Sequence, residues 1–133
     1  MLLVFFGVSF SVVANEHTIG DITVHYNAFN SSLISPEVAT QYGIKRSGQT
    51  GILNISVLKN GQAVVANIFG HGKNLASQLK QLAFKEVKED KAIYYIATFN
   101  FRSGERLSFD LQVQPEKTGV LMPLQFKQIL YID

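Results

Sequence analysis

AIYYIATFNFRSGERLSFDLQV, residues 92–113, is the stretch whose reading decides the fold class. Leu107, Phe109, Leu111 and Val113 alternate strictly with Ser108, Asp110 and Gln112. Successive side chains of a strand point to opposite faces, so a period of two marks a strand buried on one side and wet on the other. Upstream, Ile93, Tyr95, Ala97, Phe99 and Phe101 line one face, while Thr98, Asn100 and Arg102 line the other. Ser103-Gly104 supplies a tight turn between the two runs.

The same signature recurs on both sides. Residues 52–59 place Leu53, Ile55 and Val57 on one face and Asn54 and Ser56 on the other. Asn60-Gly61 follows, and a type I′ hairpin needs two such residues tolerant of positive φ. Residues 62–69 return as the partner strand, and Gly70-His71-Gly72 breaks it as a bulge or chain reversal. A phosphate cradle would need further glycines and a following helix. Near the start, Ile22, Val24, Tyr26 and Ala28 alternate with Thr23, His25 and Asn27. Ser35 as N-cap, Pro36 at the first helical position and Glu37 in the first turn open a short helix that Gly43 closes. Leu75, Leu79 and Leu82 have helical spacing and predict a turn of helix over 74–82. Residues 83–88 and 124–132 read as strands.

No long helical pattern separates these strands, which argues against parallel βαβ units. The expected fold is all-β: an immunoglobulin-like antiparallel β-sandwich of about seven strands with one short connecting helix. A small β-barrel is the alternative. Uneven connectors and the inserted helix favour crossing between two sheets. The chain has no Trp and no Cys, so any immunoglobulin likeness is one of architecture only.

Residues 1–14, MLLVFFGVSFSVVA, contain no charged residue, and Val12 and Ala14 fit the small-residue pattern before a cleavage point. They read as a signal peptide cut after Ala14, leaving a single domain over 15–133. The run stops at Asn15-Glu16-His17, short of the ~20 apolar residues of a membrane span. Its basic n-region is missing, so either the true start lies upstream of Met1 or the signal is unusual. The expected location is periplasmic or secreted and soluble, with no stable membrane insertion after signal removal. Without cysteine the fold rests on its core rather than on disulfides, and thiolate chemistry is excluded. The net charge of +2 is scattered along the chain. No basic stripe appears, so no nucleic-acid partner is expected.

Several runs carry a resemblance: His25-Tyr26-Asn27-Ala28-Phe29-Asn30, Pro36-Glu37-Val38-Ala39 with Tyr42-Gly43-Ile44 and Arg46-Ser47, and Leu53-Asn54-Ile55-Ser56-Val57. Asn74-Leu75 with Gln78-Leu79, then Ala92-Ile93-Tyr94-Tyr95, continue it. Together they resemble a family of bacterial exported proteins catalogued as domain of unknown function 4426. The resemblance spans essentially the whole mature chain. It implies export and one domain, and it brings no assigned activity and no site residues.

The residues themselves offer few catalytic parts. His17, His25 and His71 lack the close spacing of a zinc site, and His17 reads as part of a frayed terminus, so no metal or cofactor is expected. A serine nucleophile needs a base and an orienting acid, and no G-x-S-x-G elbow is present. His25 with Asp110 and Ser108 assembles only on paper. Glu86, Glu89 and Asp90 with Lys88 and Lys91 read as a solvated hairpin tip. Tyr94 and Tyr131 are the aromatics expected to face out. What remains is a neutral, hydrogen-bonding sheet face made by His25, Asn27, Asn54, Ser56, Thr98 and Asn100, with Ser108 joining it if these strands share a sheet. Such a face suits a protein or a peptidoglycan-like glycan, unless the protein's own loops cover it.

The leading expectation is therefore a non-catalytic binding or accessory module acting through that face or through an edge strand. Its expected partner is another exported or envelope protein. One alternative is a carrier of a small apolar ligand in a β-barrel cavity lined by Tyr95, Phe99 and Phe109. Another is a hydrolase using His25.

Overall fold

Ten strands form among the described residues, most of them because short alternating runs are separated by residues that tolerate left-handed backbone. Asn60 and Gly61 have φ of 52° and 81°, and the Gly20, Asp90 and Gly104 turns also have positive φ. The structure, a computed structural model, describes residues 15–116 and 120–132. The expected signal segment 1–14 lies outside them. The strands are β1 (Asn15–Ile19), β2 (Ile22–Asn30), β3 (Thr50–Lys59), β4 (Gln62–Ala63) and β5 (Ala66–Lys73). They continue as β6 (Leu79–Gln81), β7 (Lys85–Glu89), β8 (Ala92–Asn100), β9 (Glu105–Pro115) and β10 (Met122–Leu130). One short helix, α1 (Pro36–Tyr42), joins β2 to β3.

All pairings are antiparallel. The first sheet runs β1-β2-β3-β8-β7 with β4 added to the end of β3, and the second runs β10-β9-β5-β6. Both sheets keep open edges, so the fold is the expected sandwich and the barrel alternative is set aside. Where about seven strands are expected from alternation alone, ten appear among the described residues. Asn15–Ile19 shows no alternation but pairs with β2 across the Gly20 turn, which orders His17 opposite Val24 instead of leaving it frayed.

The core lies between the sheets. Val24, Leu53, Ile55, Tyr95 and Phe99 meet Leu107, Phe109, Leu111, Val113 and Leu124. Burying side chains of this size stabilises by roughly 1.5–3 kcal/mol each. Phe109 meets Phe99 edge-on at 5.3 Å between centroids and stacks on Phe126 at 5.0 Å. Tyr95, Phe99 and Phe109, expected to line a carrier's cavity, are therefore packed core.

A second apolar layer sits on the outer face of the first sheet. Ile52 and Ile96 are apolar at positions that alternation assigns to the wet side, and such strands need cover on both faces. Residues 33–44 supply it: Ile34, Ala39 and their neighbours pack on Phe29, Ile52, Val87 and Ile96. The helix forms as its sequence signals: Ser35 Oγ accepts from the Val38 amide at 3.2 Å, and Gly43 closes it at φ 68°. Lys85 Nζ donates to the Tyr42 carbonyl at 2.8 Å, and Tyr42 Oη donates to Glu89 Oε2 at 3.0 Å. Tyr94, expected outside, packs against this layer.

Two further expectations are corrected. Over 74–82 no helix forms, because Asn74 Oδ1 accepts from the amides of Ala76 and Gln78 and so competes with helical bonding. Leu75 is left 81% exposed, and Leu79–Gln81 pairs with β5. Gly70-His71-Gly72 does not break its strand but lies inside β5.

Candidate functional site

Register in the first sheet decides which polar side chains meet. Glu16 stands opposite His25, His25 opposite Ser56, and Asn27 opposite Asn54. Directly opposed side chains have Cβ atoms ~4.5–5.5 Å apart, within interaction range. His25 Nδ1 lies 3.6 Å from Glu16 Oε2. Asn54 Oδ1 is buried and accepts no hydrogen bond among the described residues. Thr98 and Asn100 share the face by parity but stand opposite Ile52 and Thr50. The strip covered by α1 separates them from the other four, and Thr98, itself exposed, lines a crevice of about 100 Å³ beside Tyr42 and Ile44. The structure thus brings His25, Asn27, Asn54 and Ser56 together and leaves Thr98 and Asn100 apart.

Next to this quartet the sheet forks. The ladder between β3 and β8 ends at the Ile55–Tyr95 pair, and from Leu58 onward β3 pairs with β4 instead. β8 stays with β7. The two hairpins diverge and leave a cleft of about 670 Å³, lined by Ser56, Leu58, Ala63, Glu89, Ile93 and Tyr94 among others. Burial first, and the Glu89 carboxylate second, hold the Tyr42 and Tyr94 phenols above their ordinary value of 10.0, so both remain neutral. Glu89 Oε1 is buried without a hydrogen-bond partner among the described residues. Glu89 is therefore part of the cleft wall and bonded to the helix, not a residue of a solvated tip.

A second cleft, of about 280 Å³, opens on the outer face of the other sheet. His71 stands opposite Asp110 and Asp110 opposite Gln125; Lys73 stands opposite Ser108 and Ser108 opposite Lys127. Asp110 and Ser108 thus face His71, not His25, which lies on the first sheet. Sequence reasoning missed this cluster because it ended the strand at Gly70. The glycine is required for the opposite reason. At φ 149° a Cβ on Gly70 would collide with the Asp110 carbonyl oxygen and lie 2.8 Å from the Leu111 Cα, so only glycine lets β5 lie this close to β9. Among the described residues no group of three or more His, Cys, Asp or Glu could hold a metal ion, and no helix is long and apolar enough to cross a membrane.

Fold and clefts together define a two-sheet antiparallel β-sandwich domain with open clefts on its outer faces. The chain belongs to the family described as Domain of unknown function (DUF4426), whose model matches residues 16–133. It is similar to the crystal structure of a DUF4426 family protein from Pseudomonas aeruginosa PAO1 at 33% identity and a TM-score of 0.82. That match covers 90% of this chain and 96% of the other. Comparison with curated proteins finds no match.

Proposed function

We propose that this protein is an exported, non-catalytic binding module that seats part of another exported or envelope protein in the fork cleft. His25, Asn27, Asn54 and Ser56 form the adjoining hydrogen-bonding surface. The observation that carries this reading is the cleft of about 670 Å³ beside Ser56, within the ~300–1,000 Å³ range of ligand pockets. Leu58, Ala63 and Ile93 give it apolar walls, and Ser56 and Glu89 provide the few polar groups that would orient a guest. The buried acceptors Asn54 Oδ1 and Glu89 Oε1 have no hydrogen-bond partner among the described residues, and such atoms are uncommon enough in folded proteins to need a reason. Thr98 and Asn100 would join the contact only with a partner long enough to cross α1. Export rests on the uncharged apolar run 1–14 and the small residues Val12 and Ala14 before the expected cut.

The test is a photo-crosslinking side chain placed at Ala63 or Ile93, with Gln112 on the other sheet as control. Adducts are expected from the cleft positions, in the native host, and are expected to vanish with Ser56→Lys. Adducts from Gln112 alone, or adducts indifferent to Ser56→Lys, would remove the cleft from consideration. The same purified material should begin at Asn15 on N-terminal sequencing.

One observation favours a second reading. Glu16, His25 and Ser56 lie in one cross-strand row whose Ser56 end lines the cleft, in the order acid, base, hydroxyl used for nucleophilic catalysis. No hydrogen bond joins His25 to Ser56 among the described residues, so binding is the preferred reading. Hydrolysis of simple esters lost in both Ser56→Ala and His25→Ala would reverse that preference, and equal background rates would end the hydrolase reading.

A further inference from the structure

We propose that the outer face of the second sheet is a separate binding site for an anionic saccharide, a sugar ring bearing one carboxylate or phosphate. The argument starts from six polar side chains that three adjacent strands bring to one cleft: His71 and Lys73 from β5, Ser108 and Asp110 from β9, Gln125 and Lys127 from β10. None of the six makes a side-chain hydrogen bond or ion pair among the described residues. Nearby polar groups behave otherwise: Asn74, Gln78, Lys80 and Glu105 satisfy one another. Six unengaged groups, four of them on strands paired on both sides and two on the edge strand β10, form a hydrogen-bonding surface with little order left to impose.

Charge and shape narrow the guest. Lys73 and Lys127 flank Ser108 in one cross-strand row, a clamp suited to an anionic group through charge-assisted hydrogen bonds. Asp110 occupies the middle of the neighbouring row between His71 and Gln125. A carboxylate there repels a bare anion, but it accepts well from ring hydroxyls, while His71 and Gln125 complete that set. Phe69, the next outward residue of β5, is 45% exposed and offers an apolar platform for the C–H face of a sugar. Lysines for the acid, a carboxylate and amide for the hydroxyls and an aromatic platform beside them fit an acidic sugar better than phosphate alone.

The test is a titration of backbone amide NMR shifts with glucuronate and glucose 6-phosphate, using glucose and inorganic phosphate as controls. The amides of Gly70, Gly72, Ser108, Asp110, Gln125 and Lys127 are expected to move with both acidic sugars and little with either control. The double variant Lys73→Gln/Lys127→Gln, whose changes are confined to outward-facing side chains, is expected to keep a folded spectrum. It should weaken binding by roughly tenfold or more. A stronger response to glucose 6-phosphate assigns the acid as phosphate, and a stronger response to glucuronate assigns it as carboxylate. Still amides at these positions, unchanged affinity in the double variant, or inorganic phosphate binding as tightly as either acidic sugar would overturn the proposal.

Discussion

Tyr95 ties the two sheets together through its hydroxyl. It accepts from the Ala66 amide at 2.8 Å, at the start of β5, and donates to Glu86 Oε2 at 2.9 Å. Burial is the main cause that pushes this phenol up from 10.0 to about 12; the Ala66 amide pulls it down and Glu86 adds to the rise. The folded value is raised, so the contribution is fully present below pH 10 and is lost as pH rises from there toward about 12. Tyr95→Phe leaves a buried amide unsatisfied and should lower stability at neutral pH by about 1–3 kcal/mol. Urea unfolding checks this, and the variant should lose less stability than the parent between those two pH values. A midpoint equal to the parent's would show that water replaces the bond. Alternation places Tyr95 inward correctly. Nothing local in the sequence pairs its hydroxyl with an amide 29 residues away, which is why Glu86 reads as a solvated tip residue when it is a partner.

Elements were legible where their signal is local. Asn60-Gly61, Ser35-Pro36 and Gly43 each form what they announce, because a turn or cap depends on a few neighbouring residues. Which sheet a strand joins depends on distant residues, and there the sequence is mute. Only Gln62–Ala63 pairs back onto β3 before the chain crosses to the second sheet as β5, and the Ser103-Gly104 turn carries the chain from β8 in one sheet to β9 in the other. That second crossing is held by Glu105. Its Oε1 accepts from the Arg102 amide at 2.9 Å, its Oε2 accepts from Asn74 Nδ2 at 2.8 Å, and Lys80 Nζ lies 3.7 Å away. Burial alone would raise its carboxyl, but the Asn74 bond, the Arg102 amide and the Lys80 charge outweigh burial and hold it below 4.5. A depressed value means stability present above pH 4.5 and lost as pH falls through the folded value. Glu105→Gln should therefore unfold at lower urea than the parent at neutral pH, by about 1–2 kcal/mol. The two proteins should converge in acid, and a difference that persists there would assign the loss to packing.

At the scale of the molecule, the sandwich turns its two clefts in opposite directions. The fork cleft opens on the outer face of the first sheet, and the His71 cluster opens on the outer face of the second. Sheets packed face to face stand ~10 Å apart, and the layer between them is a close-packed core that includes Leu53, Ile55, Leu107 and Leu111. Sites that share no residue and no polar network usually act additively, within about 0.5 kcal/mol. Ser56→Lys should therefore abolish crosslinking in the fork cleft while leaving the acidic-sugar shifts on β5, β9 and β10 unchanged. Lys73→Gln/Lys127→Gln should do the reverse, and the triple variant should show both losses and no more. That outcome would describe a two-faced adaptor, able to hold an envelope glycan on one side and a protein on the other. A sugar affinity that changes with Ser56→Lys would instead mean that the core transmits strain between the sheets, and Tyr95, which bonds β8 to β5 across it, would be the first residue to suspect.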